Sequence, residues 1–208
     1  LTTQDIDAVF ITHEHGDHVG CGPKLAARLG IPIYMSEGTW RGCGSPALGD
    51  LLRLTSDGQA IDLGELVLHP FAVPHDAHEP LQLRCTDGDA ELGLLTDLGH
   101  VPLAVEAQLS GCRSLLLECN HDEDLLSRSP YPAFLKRRVG GDQGHLSNAQ
   151  AADLTHALKG RLQRVLAGHL SRQNNEPALA EAALRQALGD AADICVADAV
   201  SGSPWIAA

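Results

Sequence analysis

Residues 13–18 read His13-Glu14-His15-Gly16-Asp17-His18, which places three imidazoles and the Asp17 carboxylate within six positions. If the backbone stays extended through 13–15, His13 and His15 project to the same side and can share a metal ion. Gly16 lets the chain turn, so that Asp17 and His18 can face a second ion. Imidazole with carboxylate suits zinc, manganese and iron. A single histidine is ordinarily a surface or core residue. Four ligand-type residues at this spacing, directly after an apolar run, read as a metal centre.

Other ligand-type residues recur at the ends of apolar runs. His75 follows 66–74, and Asp97 lies in Thr96-Asp97-Leu98-Gly99. Glu118 and His121 end the run at 114–119, His145 stands in Gly144-His145-Leu146-Ser147, and His169 follows 165–167. Taken singly, His75, Asp97 and His169 are a loop histidine, a turn aspartate and a cap. Each of His75, Asp97 and His169 follows an apolar strand.

The elements that must position them can be read from the pattern. Residues 8–11 form a short apolar run of the buried-strand kind. Residues 24–29 read as a helix ended by Gly30, and 31–35 as the next strand. Residues 36–50, rich in glycine, read as an irregular surface excursion. Strands at 81–85 and 91–95 flank Asp87-Gly88, a hairpin with a loop longer than two residues. A helix near 101–109 and a strand at 114–119 follow. Ser147 and Gln150 form a capping-box pattern before a helix carrying Ala151, Leu154 and Leu158. A strand at 165–167, a helix over 177–188 and a strand at 194–197 complete the series. Strands alternate with helices except at the hairpin, so the class is α/β, in one domain over 1–208.

Composition bounds the function. The 208 residues suffice for a substantial core, and only 3% are aromatic, so that core is aliphatic. No apolar run is long enough to cross a membrane. The formal net charge of −12 argues against a broad electrostatic grip on nucleic acid, and Lys136-Arg137-Arg138 is the one basic run, read as a solvated helix end. Six scattered cysteines without a C-x-x-C pair point to a reducing cytoplasm. Cys21 and Cys119 read as small buried residues near the site loops.

His-x-His-x-Asp-His after a strand, followed in order by His75, Asp97 and His169, resembles the metallo-β-lactamase superfamily. Leu117-Glu118-Cys119-Asn120-His121-Asp122, Gly144-His145-Leu146-Ser147-Asn148 and Gly168-His169-Leu170-Ser171 with Asn174-Asn175 resemble its YycJ/WalJ group. So do His75-Asp76-Ala77 with Glu79-Pro80, and Thr96-Asp97-Leu98-Gly99. The resemblance implies an αββα sandwich with a dinuclear site along one edge. His13, His15 and His75 would hold one divalent ion and Asp17, His18 and His169 the other, bridged by Asp97. Asp17, His145 and Glu118 are the residues assigned to the chemical step, with His145 serving the leaving group. The superfamily places strands before its first motif, so a chain that opens at Leu1 reads as N-terminally incomplete. The implied activity is phosphodiester hydrolysis by a metal-activated hydroxide, as a cytoplasmic 5′→3′ DNA exonuclease with nucleic acid as partner and no membrane association. The competing readings are a small substrate on the same centre (a cyclic phosphodiester, a thioester or a lactam) and a non-catalytic metal-bearing regulatory protein. A diiron oxygen-reducing relative is disfavoured, because its pattern carries an acidic residue where His15 stands.

Overall fold

The structure, a computed structural model, describes residues 2–205. The chain divides into two compact units, Leu1–Ala72 with Asp76–Gln82, and Val73–His75 with Leu83–Ala208.

The first unit is built on a parallel sheet of β1 (Val9–Phe10), β2 (Ile33–Met35) and β3 (Leu52–Leu54). Between β1 and β2 the chain makes a single helical turn, α1 (Gly16–Val19), and then α2 (Gly22–Leu29). Gly30 ends α2 in the left-handed region at φ 68°, and its N–H bonds back to Ala26 O. Ile11, Ala26, Ile33 and Met35 form the buried centre, with Val9, Val19, Ile31 and Trp40 packed on it. A Cβ on Gly22 would meet Ile11 Cδ1 at 2.8 Å, so a glycine is what lets α2 start hard against the strand. That close approach constrains the intervening loop, which carries the histidine cluster.

Residues 36–50 are more ordered than their glycine content suggests. They contain α3 (Glu37–Gly42), capped by Ser36 Oγ accepting from Thr39 N–H. The Glu79 carboxylate takes the Gly38 N–H at 2.8 Å, so a distant side chain supplies what local propensity lacks. The strands β3 and β4 (Ile61–Asp62) are too short to show a period in the sequence. β4 pairs antiparallel with β5 (Val67–Ala72).

In the second unit the strands run in the order β10-β9-β8-β7-β6. β6 (Leu81–Thr86) and β7 (Glu91–Leu95) form the antiparallel hairpin. Asp87 Oδ1 accepts from the N–H groups of Asp89 and Ala90 to close its four-residue loop. The strand β7, with β8 (Ser114–Glu118), β9 (Arg164–Gly168) and β10 (Asp193–Val196), is parallel throughout. The helices are α4 (Leu103–Leu109), α5 (Glu123–Arg128), α6 (Ala133–Val139), α7 (Asn148–Leu158) and α8 (Pro177–Leu188). Both bonds of the Ser147/Gln150 capping box are present at α7. Leu154 and Leu158 of α7, Leu184 and Leu188 of α8, and Leu115, Leu117 and Val165 of the sheet are buried. Each such leucine contributes about 1.5–3 kcal/mol of apolar burial.

Leu95, Leu117 and Ala167 stand side by side, and Glu118 stands beside Gly168. Asp97, Glu118 and His169, at or just past the ends of three parallel strands, therefore emerge at one C-terminal edge, where open sheets place ligands. Among the described residues no helix is long and apolar enough to cross a membrane. All six cysteines are free, but Cys21 is exposed, contrary to the expectation of burial. It sits in the turn before α2, ahead of the first residue that faces the core.

Candidate metal centre

The first unit presents the opening motif. His13 is fully buried. The Thr12 hydroxyl lies 3.1 Å from His13 Nδ1 and 3.2 Å from His18 Nδ1. The Thr12 hydroxyl thus ties the two rings together on their Nδ1 sides. His13 Nε2 and His15 Nδ1 converge to 3.1 Å, and His18 Nε2 lies 3.7 Å from Asp17 Oδ2. Thr12 was invisible as a functional residue in the sequence, although a hydroxyl directly before the first histidine is a signal that could be sought. Glu14 takes no place among these nitrogens. Its carboxylate accepts the His78 backbone N–H at 2.8 Å and pairs with His78 Nδ1. Burial alone would raise the Glu14 carboxyl, but the His78 bond holds it below its ordinary value.

The second unit brings together His75, Asp97, Glu118, His145 and His169. One ligand atom from each of Asp97, Glu118, His145 and His169 lies within 4.8 Å of the others. Asp97 and His169 are non-glycine residues in the left-handed region, at φ 55° and 57°. Such backbone costs about 1–3 kcal/mol per residue and collects at functional sites.

Glu118, at the end of β8 and fully buried, organises the group. Its Oε1 accepts from His145 Nδ1 and from His169 Nδ1, each at 2.8 Å. Its Oε2 accepts the Leu146 N–H at 3.0 Å and the Leu98 N–H at 3.4 Å. Burial would push this carboxyl up, but the two imidazole donors hold it below its ordinary value. Burial likewise pulls His145 down, and the bond to Glu118 more than reverses that, so His145 keeps its proton above the ordinary histidine value. His121 is also buried. Burial lowers its pKa, and its Nδ1 has no hydrogen-bond partner among the described residues.

The donor set fits a metal. A carbonyl can only accept, so Gly144 O, 3.0 Å from His75 Nδ1, fixes the proton there. Glu118 does the same for His169. Both rings then turn an Nε2 lone pair toward Asp97, with His75 Nε2 3.7 Å from Oδ1 and His169 Nε2 3.7 Å from Oδ2. That is too long for a hydrogen bond but within the span of two donors each about 2.0–2.1 Å from one zinc ion. The two carboxylate oxygens face different histidines, as a bridging ligand requires. A carboxylate holding the far nitrogen of a ligating histidine is the usual outer support of such sites.

The loops are held rigidly behind this group. Gly99 N–H bonds to Pro74 O at 2.9 Å, and a Cβ on Gly99 would meet the Asp142 carbonyl carbon at 2.2 Å. Asn175 and Asn148 exchange side-chain amide bonds at 2.8 and 2.9 Å, and Asn175 Nδ2 also donates to Cys119 O. Asn120 Nδ2 donates to His169 O at 3.1 Å. The asparagines that mark the group resemblance are thus a clamp beneath the histidines.

This architecture and donor set define a metal-dependent hydrolase of the metallo-β-lactamase fold. Residues 1–170 match the family model described as beta-lactamase superfamily domain, and the chain belongs to that superfamily. Within it, the chain is 34% identical over 194 residues to exodeoxyribonuclease WalJ of Streptococcus pneumoniae serotype 2, covering 90% of this chain and 72% of that protein. It is 30% identical over 193 residues to exodeoxyribonuclease YycJ of Bacillus anthracis, covering 90% and 73%. The crystal structure of the metallo-beta-lactamase fold protein YhfI from Bacillus subtilis superposes with a TM-score of 0.75, at 16% identity, over 98% of this chain and 79% of that one. That likeness speaks to the fold alone.

Proposed function

We propose that the protein is a dinuclear-metal exodeoxyribonuclease, degrading DNA from the 5′ end by hydrolysis of phosphodiester bonds in the cytoplasm. The observation that carries the reading is the placement of His75 Nε2 and His169 Nε2 on the two different oxygens of Asp97, each at 3.7 Å. In this reading His13, His15 and His75 hold one ion, Asp17, His18 and His169 hold the other, and Asp97 bridges. Zinc and manganese suit these ligands best, and iron is tolerated. Bound divalent ions would supply Lewis acidity and water activated at neutral pH.

The chain's own residues do the rest. Glu118 fixes the tautomer of His169 and aims it. The same carboxylate strengthens the hold of His145 on a proton, and in this reading His145 gives a proton to the departing sugar oxygen. Asp17, exposed beside His18, is the ligand within reach of solvent at the point of attack. The named activity of the WalJ and YycJ relatives supports DNA as the substrate, and six free thiols support a reducing compartment.

The test is an end-labelled DNA ladder with protein loaded with zinc or manganese. Stepwise loss of mononucleotides from the 5′ end is expected. Intact DNA, alongside turnover of bis(p-nitrophenyl) phosphate, would transfer the centre to a small substrate.

A further inference from the structure

We infer that helix α6 and the pocket beneath it grip the DNA strand, with phosphates on Lys136 and Arg137 and a base stacked on Phe134. This rests on the exodeoxyribonuclease reading above. In a chain with 15 lysines and arginines against 27 aspartates and glutamates, three consecutive cations occupy the last turn of α6. Basic residues there also offset the helix dipole. That accounts for the charges but not for Phe134, one turn before Arg137 and 66% exposed. The chain holds three phenylalanines, and Phe71 is buried and Phe10 half-buried. An exposed ring beside cations is the pairing that single-stranded nucleic acid uses, the ring for a base and the cations for the backbone.

The pocket has a volume of about 410 Å³ and is lined by Lys136, Arg137, His121, Ser147 and Gln150, with Glu123. Lys136 Nζ is steadied by Ser127 O at 2.6 Å. The acidic lining residue, Glu123, is engaged by the Ser147 hydroxyl, which donates to it at 3.0 Å. The end of α6 is also bonded to the reaction residue, since His145 N–H donates to Val139 O at 2.8 Å. The C-terminal end of α6 is thus joined through the backbone to the segment that carries His145.

The experiment compares the full chain with its Phe134→Ala and Lys136→Ala/Arg137→Ala variants in binding a fluorescein-labelled single-stranded oligodeoxynucleotide across a salt series. Degradation of the same DNA and turnover of bis(p-nitrophenyl) phosphate are followed in parallel. Phe134→Ala is expected to weaken binding about tenfold, with Phe134→Trp restoring it. The double variant is expected to lower the slope of log affinity against log salt by about 1.4, about 0.7 for each lost phosphate contact. Turnover of the small diester stays unchanged. Variants that bind DNA with wild-type affinity and salt slope would overturn the inference, whatever the wild type does to DNA. A wild type that binds through α6 but leaves DNA intact would overturn the exonuclease reading alone.

Discussion

At the scale of single residues, the account turns on which nitrogen of each imidazole carries the proton. Glu118 settles this for His145 and His169 at once, because its Oε1 accepts from both Nδ1 atoms at 2.8 Å. Glu118→Gln keeps the shape but removes the charge, and one of its two faces becomes a donor. Metal affinity is expected to fall about 10–100-fold, measured by competition with a chromogenic chelator; unchanged affinity would remove Glu118 from this role. His145→Ala is expected to slow turnover while leaving bound metal intact, read by metal analysis beside rate, and metal loss would place His145 among the ligands. The candidate donors could be picked out in the sequence because imidazole and carboxylate at strand ends have few other uses in such numbers. The partners that orient them were not. Gly144 acts through a backbone carbonyl, which leaves no mark on residue identity, and the positive φ of Asp97 and His169 is uncommon even for residue types that adopt it more often than most.

At the scale of elements, three loops meet where glycines allow it. A Cβ on Gly144 would lie 2.2 Å from the carbonyl oxygens of both Arg138 and Val139. Gly144→Ala must therefore displace the turn whose carbonyl holds His75. A loss of about 1–3 kcal/mol is expected, with a fall of several degrees in Tm and weakened metal binding. A variant with wild-type Tm would show that the turn yields without cost. The long helices, the hairpin and the parallel strands could be read from period and capping, as at Ser147 and Gln150. The short elements could not. α6 spans seven residues with exposed and half-buried positions mixed, and α3 depends on Glu79, about forty positions away. Neither dependence has a local signature.

At the scale of the whole molecule, the aliphatic core shields three of the six thiols, Cys85, Cys112 and Cys119, and the negative charge is set against cations. Burial pushes Cys85 up to about 11 and Cys112 and Cys119 up to about 12. Because the thiolate is the nucleophile, iodoacetamide at pH 8 is expected to modify exposed Cys21 and spare these three until the protein unfolds. Rapid native-state modification of Cys119 would mean that the end of β8 opens. Two bound divalent ions would offset 4 of the 12 net negative charges and stabilise the folded chain by linkage, about 2.7 kcal/mol at a hundredfold excess over Kd. The central proposal is that the opening motif and three later strand ends supply the ligands for two ions. The most direct test is metal stoichiometry with rate, for wild type and His15→Ala loaded with zinc or manganese. Two equivalents per chain with turnover are predicted for wild type, and less metal with no turnover for His15→Ala; equal metal and equal rate in both would contradict it.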